Sequence, residues 1–275
     1  MTGIDYRLPF PEYLAHPAIS QSGIKTFMRS PAHYRHERDN PREDTDYFMA
    51  GRAVHALALE GRETFESGFI VAPQVDRRTR AGKAAWAEFQ EQAGDRAVLT
   101  ADQGRMVEAM GAALNGHEMA QAVITGGGAA TEVTGFAMTE DGALERKARA
   151  DVLRQDGIVA DLKTTQDASP EGFRRAVARY GYHVQAAWYL DTFTQASGQE
   201  FDSFVFIAIE KEPPYGIGVY ELAPSAIERG RELYRNALDR LAQCIEHNAW
   251  PSYAPEMMTL DIPAYAYHDT EGEAA

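Results

Sequence analysis

Cysteine is almost absent from this sequence. Its 275 residues include a single cysteine, Cys244, which excludes an internal disulfide and an iron–sulfur cluster held by four cysteines. Long apolar runs are also lacking, since no stretch approaches the roughly 18 consecutive apolar residues that span a bilayer. The N-terminal residues show no basic region followed by an apolar stretch, which is the pattern of a signal peptide. We therefore expect a cytoplasmic protein that has no membrane partner.

Basic residues are outnumbered by acidic ones. The formal net charge is −14 at pH 7, which argues against a protein that coats nucleic acid through a broad excess of lysine and arginine. An enzyme that acts on DNA is not excluded, because a metal site concentrates carboxylates and local basic patches occur in acidic proteins. A glycine-rich phosphate loop of the form GxxxxGK followed by Ser or Thr is also missing, which disfavours a nucleotide enzyme.

Secondary-structure patterns change at the glycine run 126–128. Residues 1–125 read mainly as helices and loops, whereas strand patterns separated by turn signals follow the run. Asp141-Gly142 and Asp156-Gly157 each favour a tight hairpin turn. Strands are predicted at about 131–139, 143–153, 157–163, 201–210 and 216–222. Helices are predicted at 48–60, 79–93, 101–114, 169–180, 182–196 and 224–248, with a short one ending near 29.

These patterns predict one α/β domain over residues 1–275, in which helices flank a mixed central sheet. It has a mainly helical N-terminal part (1–125), an α/β core (126–250) that would carry the chemistry, and an acidic tail (251–275) without lysine or arginine.

Two carboxylates and a lysine converge on the predicted central hairpin. Asp161 and Lys163 are two residues apart on one strand, so their side chains project from the same face. Pairing across the hairpin brings Asp151 alongside. An ordinary charged surface hairpin is the alternative, but Asp161 ends a strand with an apolar middle, and a charge at the edge of a core is unusual unless it is paired or binds metal.

This grouping suits phosphodiester hydrolysis. Carboxylate oxygens are hard ligands that suit Mg²⁺ or Mn²⁺, ions that retain bound water for chemistry. Such ions polarise the phosphate, activate water and stabilise the leaving oxygen. Lys163 is suited to orient the attacking water and to offset charge in the transition state.

The motif D-x9-D-x-K at 151–163 resembles that of the PD-(D/E)XK nucleases. Gln185 and Tyr189, one helical turn apart, resemble the Q-x-x-x-Y motif of the RecB-type branch. The segment 51–61, GRAVHALALEG, resembles the histidine motif of that branch around His55. Segments 18–34 and 75–89 resemble the RecE, or exonuclease VIII, subgroup, and the resemblance runs from about residue 18 to about 250.

The resemblance implies a site that holds Mg²⁺ or Mn²⁺, with Gln185 and Tyr189 hydrogen-bonding the scissile phosphate or its water. Glu132, on the strand before Asp151, is a further acidic candidate. Four of the candidate site residues are open to another interpretation: His55 as a satisfied core histidine, Gln185 and Tyr189 as polar groups on a helix face, and Glu132 as a solvent-facing strand residue. The catalytic candidates are Asp151, Asp161, Lys163, Gln185 and Tyr189. The metal-ligand candidates are His55, Asp151, Asp161, the backbone carbonyl of Leu162 and Glu132.

Basic residues cluster despite the acidic total. One cluster lies at 77–83, another (Arg146, Lys147 and Arg149) precedes Asp151, and a third follows Lys163 at 174–179. Each is a solvated face on the simplest interpretation, but three clusters around a candidate phosphate site indicate a DNA track. The DNA-binding candidates are Arg52, Arg77, Arg78, Arg80, Lys83, Arg149 and Arg174.

The RecE resemblance implies a metal-dependent exonuclease that degrades linear double-stranded DNA from the 5′ end. The 3′ overhangs it leaves would serve a single-strand annealing recombinase, and a ring-shaped homo-oligomer such as a tetramer is expected. Two alternatives remain: a catalytically inactive relative that binds DNA or protein, and a solute-binding or metabolic α/β protein.

Overall fold

The central feature of the fold is a mixed sheet. The computed structural model describes residues 2–40, 46–139, 142–254 and 256–263. Within them, six strands follow the order β1-β5-β6-β7-β8-β9, and β2 adds to β6 in parallel. The β7–β8 pair is parallel and the other neighbours along this path are antiparallel. The strands are β1 (Gly3–Asp5), β2 (Ile19–Ser20), β3 (Phe69–Val71), β4 (Ala97–Leu99), β5 (Ala130–Met138), β6 (Glu145–Leu153), β7 (Ile158–Thr165), β8 (Ser203–Glu210) and β9 (Ile217–Glu221).

Helices cover both faces of this sheet, which confirms the predicted fold class. Strands β3 and β4 form a separate parallel pair. The helices are α1 (Phe10–Ala15), α2 (Gln21–Arg29), α3 (Pro31–Asp39), α4 (Asp46–His55), α5 (Arg62–Gly68), α6 (Arg80–Ala93), α7 (Ala101–Gly116), α8 (Glu118–Thr125), α9 (Pro170–Tyr180), α10 (Tyr182–Ser197) and α11 (Pro224–Glu246).

Two apolar cores lie on the two sides of the sheet. On one side, Trp188 and Phe193 of α10 pack with Phe206 of β8. On the other side, Val54 of α4 packs with Leu162 of β7 and with residues of α7. The strands between these layers are apolar on both faces, as parallel neighbours in a buried sheet require. A polar side chain such as Asp161, only 3% exposed, therefore stands out in β7.

The turn between β6 and β7 follows the sequence prediction. Gly157 has φ 89°, a conformation that side chains with a Cβ rarely adopt. Asp156 precedes it and accepts two hydrogen bonds from Arg154. The other predicted turn residue of this kind, Asp141, lies outside the described residues, although its neighbour Gly142 also has positive φ, 70°.

Several short elements escaped the sequence patterns. Strands β1 to β4 have two or three residues each, too few to show an alternating pattern. The helix predicted at 48–60 is α-helical only to His55 and continues as a π-helical segment, Ala56–Glu60. Within the described residues, no helix is both long and apolar enough to cross a membrane.

Candidate active site

The site forms where β6 and β7 part. Their register pairs Val152 with Ala160 and Leu153 with Val159, and the ladder goes no further. Beyond it the carboxylate of Asp151 takes the place of a backbone acceptor, because its Oδ2 accepts a hydrogen bond from the Leu162 N–H at 2.7 Å. The divergence of the two strands thus holds a carboxylate at the centre of the sheet.

Asp161 and Lys163 project together from β7, as their spacing predicts. Lys163 Nζ lies 2.7 Å from Asp161 Oδ2, and the side chains are 22% and 4% exposed. In the part of the chain that the structure describes, no donor reaches this oxygen in hydrogen-bonding geometry, so the contact is an ion pair. The ion pair offsets the cost of burying this charge, and the carboxylate oxygen is a candidate ligand for a metal ion.

Gln185 and Tyr189 lie on α10 and face this group. The Gln185 side-chain amide donates a hydrogen bond to Asp161 Oδ1, and Gln185 is itself buried. Tyr189 is held at the edge of the aromatic core by Phe193 and Phe204. The structure thus brings Gln185 into direct contact with the acidic pair.

His55 reaches the sheet from the opposite side. Its Nδ1 lies 3.3 Å from Asp151 Oδ2. Glu132 falls between the paired positions Thr131–Val152 and Val133–Ala150, so it lies across the β5–β6 ladder from Asp151. One ligand atom from each of His55, Glu132 and Asp151 lies within 4.8 Å of the other two. Glu132 has φ 55°, a strained conformation for a residue with a side chain, and such strain is concentrated at functional sites.

Electrostatics of the site reflect this crowding of carboxylates. The pKa of Asp151 is raised well above its ordinary value by burial and by the like charges of Asp161 and Glu132, against opposing effects of Lys163 and the Leu162 N–H. Burial acts to lower the pKa of Lys163, but the carboxylates of Asp161 and Asp151 outweigh burial and raise it. Lys163 is therefore a permanent positive charge beside the acidic pair.

Burial acts on His55 and Tyr189 as well. It lowers the pKa of His55, although the carboxylates of Asp161 and Glu132 and a hydrogen bond to the Leu162 backbone oppose it. A neutral imidazole is the form that binds metal. Burial, followed by Tyr13 and by the carboxylates of Asp161 and Asp151, raises the pKa of Tyr189 well above its ordinary value. The Tyr189 hydroxyl therefore stays protonated and available as a hydrogen-bond donor.

These residues fit a divalent cation. Carboxylate oxygens with a neutral imidazole are a donor set that suits Mn²⁺ and is tolerated by Mg²⁺. The close group is His55, Glu132 and Asp151. The predicted ligand Asp161 contacts Lys163 and Gln185 instead of this group. Within the described residues its Oδ2 makes no hydrogen bond that a metal ion would have to replace. The ligand roles of all five candidates, including Asp161 and the Leu162 carbonyl, stay predictions.

The basic cluster before Asp151 has a structural role. Arg146 and Lys147 are 6% and 4% exposed, so the expectation that they lie on a DNA track is wrong. Arg146 binds Tyr234, Gln195 and a backbone carbonyl. Arg149 donates to Glu132 Oε2 at 2.7 Å and is largely buried, which leaves its guanidinium little access to DNA.

The remaining basic candidates lie outside the acidic group. Arg77, Arg78, Arg80 and Lys83 are all exposed at the start of α6; Arg77 stacks over the Trp86 ring at 3.3 Å. Arg174 on α9 is 77% exposed and pairs with Glu171 at 2.7 Å. Arg52 lies on α4, three residues before His55, with its side chain partly buried.

Two residues that influence the site were missed from the sequence. Glu60 ends the π-helical segment that follows His55; burial, followed by the charge of Glu132, raises its pKa. Lys25 of α2 has its pKa lowered by burial and then by the charge of Lys163. Both residues lie in segments that resemble the RecB-type branch or the RecE subgroup. That resemblance is the one signal in the sequence that points to them as residues near the site.

Comparisons with known proteins show the family and the fold of this chain. The family model described as a PDDEXK-like domain of unknown function (DUF3799) matches residues 20–261. The chain is 15% identical to a candidate exonuclease from Eubacterium rectale, over 97% of this chain and 100% of that one, with a TM-score of 0.64. An alkaline exonuclease (LHK-Exo) from Laribacter hongkongensis is 18% identical over 72% of this chain and 95% of its own, with a TM-score of 0.30. No curated protein matches the chain.

Proposed function

Because the chain belongs to the PDDEXK-like family DUF3799, we propose that it is a metal-dependent exodeoxyribonuclease that hydrolyses linear double-stranded DNA. The observation that carries the proposal is the convergence of Asp151, Asp161 and Lys163 at the point where β6 and β7 part. A binding module has no need of a buried acidic pair that is costly to maintain, whereas phosphodiester hydrolysis uses each member.

A Mg²⁺ or Mn²⁺ ion would be held by Asp151 and His55, with Asp161, the Leu162 carbonyl and Glu132 as further ligands. Bound there, it would supply Lewis acidity and a lowered pKa for coordinated water. Lys163 carries a fixed positive charge that offsets the negative charge developing on the phosphate. Gln185 orients the Asp161 carboxylate through its hydrogen bond. Tyr189 stays protonated and is suited to donate to a phosphate oxygen.

The finer parts of the proposal rest on the RecE resemblance. They are degradation from the 5′ end, production of 3′ overhangs, assembly into a ring-shaped oligomer and use of the overhang by an annealing recombinase. Exposed cations at the start of α6, with Arg174 on α9, are the best candidates for contacts with the DNA backbone, because phosphate contacts need accessible guanidinium and ammonium groups.

Digestion of end-labelled linear DNA tests the proposal. Wild-type protein should release nucleotides from linear duplex DNA in Mg²⁺ or Mn²⁺, leave covalently closed circles intact and be inactive in EDTA. A label at the 5′ end should be released before one at the 3′ end. Cleavage of closed circles would indicate an endonuclease, and DNA binding without any metal-dependent hydrolysis would indicate an inactive relative.

A further inference from the structure

The short helix α1 presents an exposed apolar surface beside the candidate active site. Phe10 and Leu14 are four residues apart on one helix face and are 41% and 61% exposed; Tyr6, just before the helix, is 60% exposed. We name these three residues the α1 shelf. Large apolar side chains exposed together on a small surface mark an interaction site more often than chance.

Two buried cations fix α1 in place. Lys147 donates hydrogen bonds to the backbone carbonyls of Tyr13 and His16 at the end of the helix. Arg149 donates to the Leu8 carbonyl at 2.8 Å, just before the helix begins. Burial lowers the pKa of Lys147 to about 8, because a buried ammonium loses its hydration. The sheet therefore buries two charges to hold a helix of only six residues.

Arg149 links the shelf to the acidic group. Arg149 also donates to Glu132, a member of the close metal-ligand group, and its guanidinium lies 5.8 Å from the Phe10 ring. One side chain therefore separates Phe10 from Glu132. When a phosphate of a DNA strand lies at the acidic group, the base of the adjacent nucleotide is within reach of the α1 shelf.

We propose that the α1 shelf is a stacking platform for unpaired bases at the end of the DNA substrate. This inference rests on the proposed function, because it assigns the path of the DNA next to the same site. Aromatic and apolar side chains bind single-stranded DNA by stacking, since every base has an exposed π-face when it is unpaired. Paired bases are stacked on one another and offer no such face, so the shelf would favour a frayed or single-stranded end.

α1 lies near the N-terminus, before the residues that form the acidic group. The family model begins at residue 20, so α1 lies outside the part of the chain that it matches. Residues that the acidic group itself needs, from His55 to Tyr189, lie inside the matched part. The shelf therefore comes from a different segment than the acidic group does, so Phe10 and Leu14 can be substituted without changing any residue of that group.

The test measures binding in Ca²⁺, an ion expected to fill the site without supporting cleavage. The probes are a blunt DNA duplex and one with a three-nucleotide unpaired end, each labelled with 2-aminopurine at the terminal base. Wild-type protein should prefer the unpaired end and quench its fluorescence. Phe10→Ala combined with Leu14→Ala should remove the quenching and weaken binding of the unpaired end by about tenfold or more, with little effect on the blunt duplex. Met119→Ala, which alters a residue that is 58% exposed on α8, is the matched control and should change neither.

Two further measurements distinguish a failure of the proposed function from a failure of the shelf proposal. Hydrolysis of thymidine 5′-p-nitrophenyl phosphate in Mn²⁺ needs the acidic group but no unpaired strand, so the double variant should retain it. Absence of metal-dependent hydrolysis of linear duplex DNA by the wild-type protein would overturn the proposed function, whereas unchanged binding and quenching in the double variant would overturn the shelf alone. A change of oligomeric state without a change in DNA binding would also overturn it, because the surface would then pair copies of the chain. Phe10→Trp preserves the stacking surface and should quench at least as strongly as wild type, and a loss of quenching there would contradict stacking.

Discussion

His55 Nδ1 lies 3.3 Å from Asp151 Oδ2, and this contact joins the end of helix α4 to the centre of the sheet. The same Asp151 oxygen accepts the Leu162 N–H, so the carboxylate is fixed from both sides. A carboxylate that is already oriented loses little freedom when it binds a cation, which favours binding. The two residues are therefore expected to act together as metal ligands.

His55→Ala should weaken Mn²⁺ binding about tenfold or more, an effect comparable to the loss of a neighbouring group at metal sites. The imidazole would be lost as a ligand while both aspartates remain. Isothermal titration of the metal-free protein with Mn²⁺ measures the change. His36→Ala, on α3 and away from the acidic group, is the control. Equal affinities for Mn²⁺ in wild type and His55→Ala would mean that His55 is a core histidine.

Asp151→Asn should stabilise the metal-free protein at neutral pH. Burial and the carboxylates of Asp161 and Glu132 raise the pKa of Asp151, so the folded chain holds this proton more tightly than the unfolded chain does. The stabilising contribution of Asp151 is therefore complete below about pH 4 and is lost as the pH rises through the raised pKa. In EDTA, the Tm of Asp151→Asn should exceed that of wild type at pH 7 to 8 and match it near pH 4.

Metal should reverse this order, because an ion that binds only the folded wild-type protein stabilises it. Asp95→Asn alters an exposed carboxylate and should have little effect at any of these pH values. If Asp151→Asn has a lower Tm than wild type in EDTA at neutral pH, the hydrogen bond to Leu162 outweighs the repulsion and the electrostatic account is wrong.

Gln185→Leu should lower kcat by about 10- to 100-fold and leave KM nearly unchanged. Asp161 Oδ1 would lose its donor, so the carboxylate would no longer be held in its orientation. Steady-state kinetics on linear DNA measure both constants. Gln195→Leu, also on α10, removes a part-buried hydrogen bond to Arg146 of β6, and it should lower stability without lowering kcat. An unchanged kcat in Gln185→Leu would remove the support that α10 gives to the RecB-type assignment.

Arg77→Ala, Arg78→Ala and Arg80→Ala in combination should weaken DNA binding and reduce its salt dependence. Each lost contact with a phosphate lowers the slope of log affinity against log salt by roughly 0.9 for duplex DNA. Fluorescence anisotropy in Ca²⁺ over a range of salt concentrations gives this slope. Arg105→Ala with Arg229→Ala removes exposed arginines on α7 and α11 and should leave it unchanged. If the triple variant has the same slope as wild type, these three arginines face solvent and do not contact DNA.

The core of the fold was predictable because its signals are local. The strand pattern around Ala160, the turn at Gly157 and the i, i+2 spacing of Asp161 and Lys163 predict the central hairpin from a few neighbouring residues. The resemblance to the PD-(D/E)XK nucleases and the α/β fold class are both confirmed. The roles of the individual site residues stay predictions that the experiments above test.

The sequence could not indicate contacts between segments that are far apart in the chain. The sequence predicts Arg149 as a DNA contact, yet Arg149 pairs with Glu132 because β5 and β6 are antiparallel neighbours. In the sequence, Lys147 has the pattern of a surface charge. In the structure, β6 packs near α1, and Lys147 binds backbone carbonyls at the end of that helix. Charge alone does not distinguish a cation that faces solvent from one that ties two elements together.

The central claim is that Asp161 and its neighbours hydrolyse DNA with the help of a divalent ion. The most direct measurement compares wild type with Asp161→Asn, a variant of nearly the same shape, in Mg²⁺ on linear duplex DNA, after circular dichroism has established that both are folded. The account predicts release of acid-soluble nucleotides by wild type and none by Asp161→Asn. Near-wild-type release by a folded Asp161→Asn protein would contradict it.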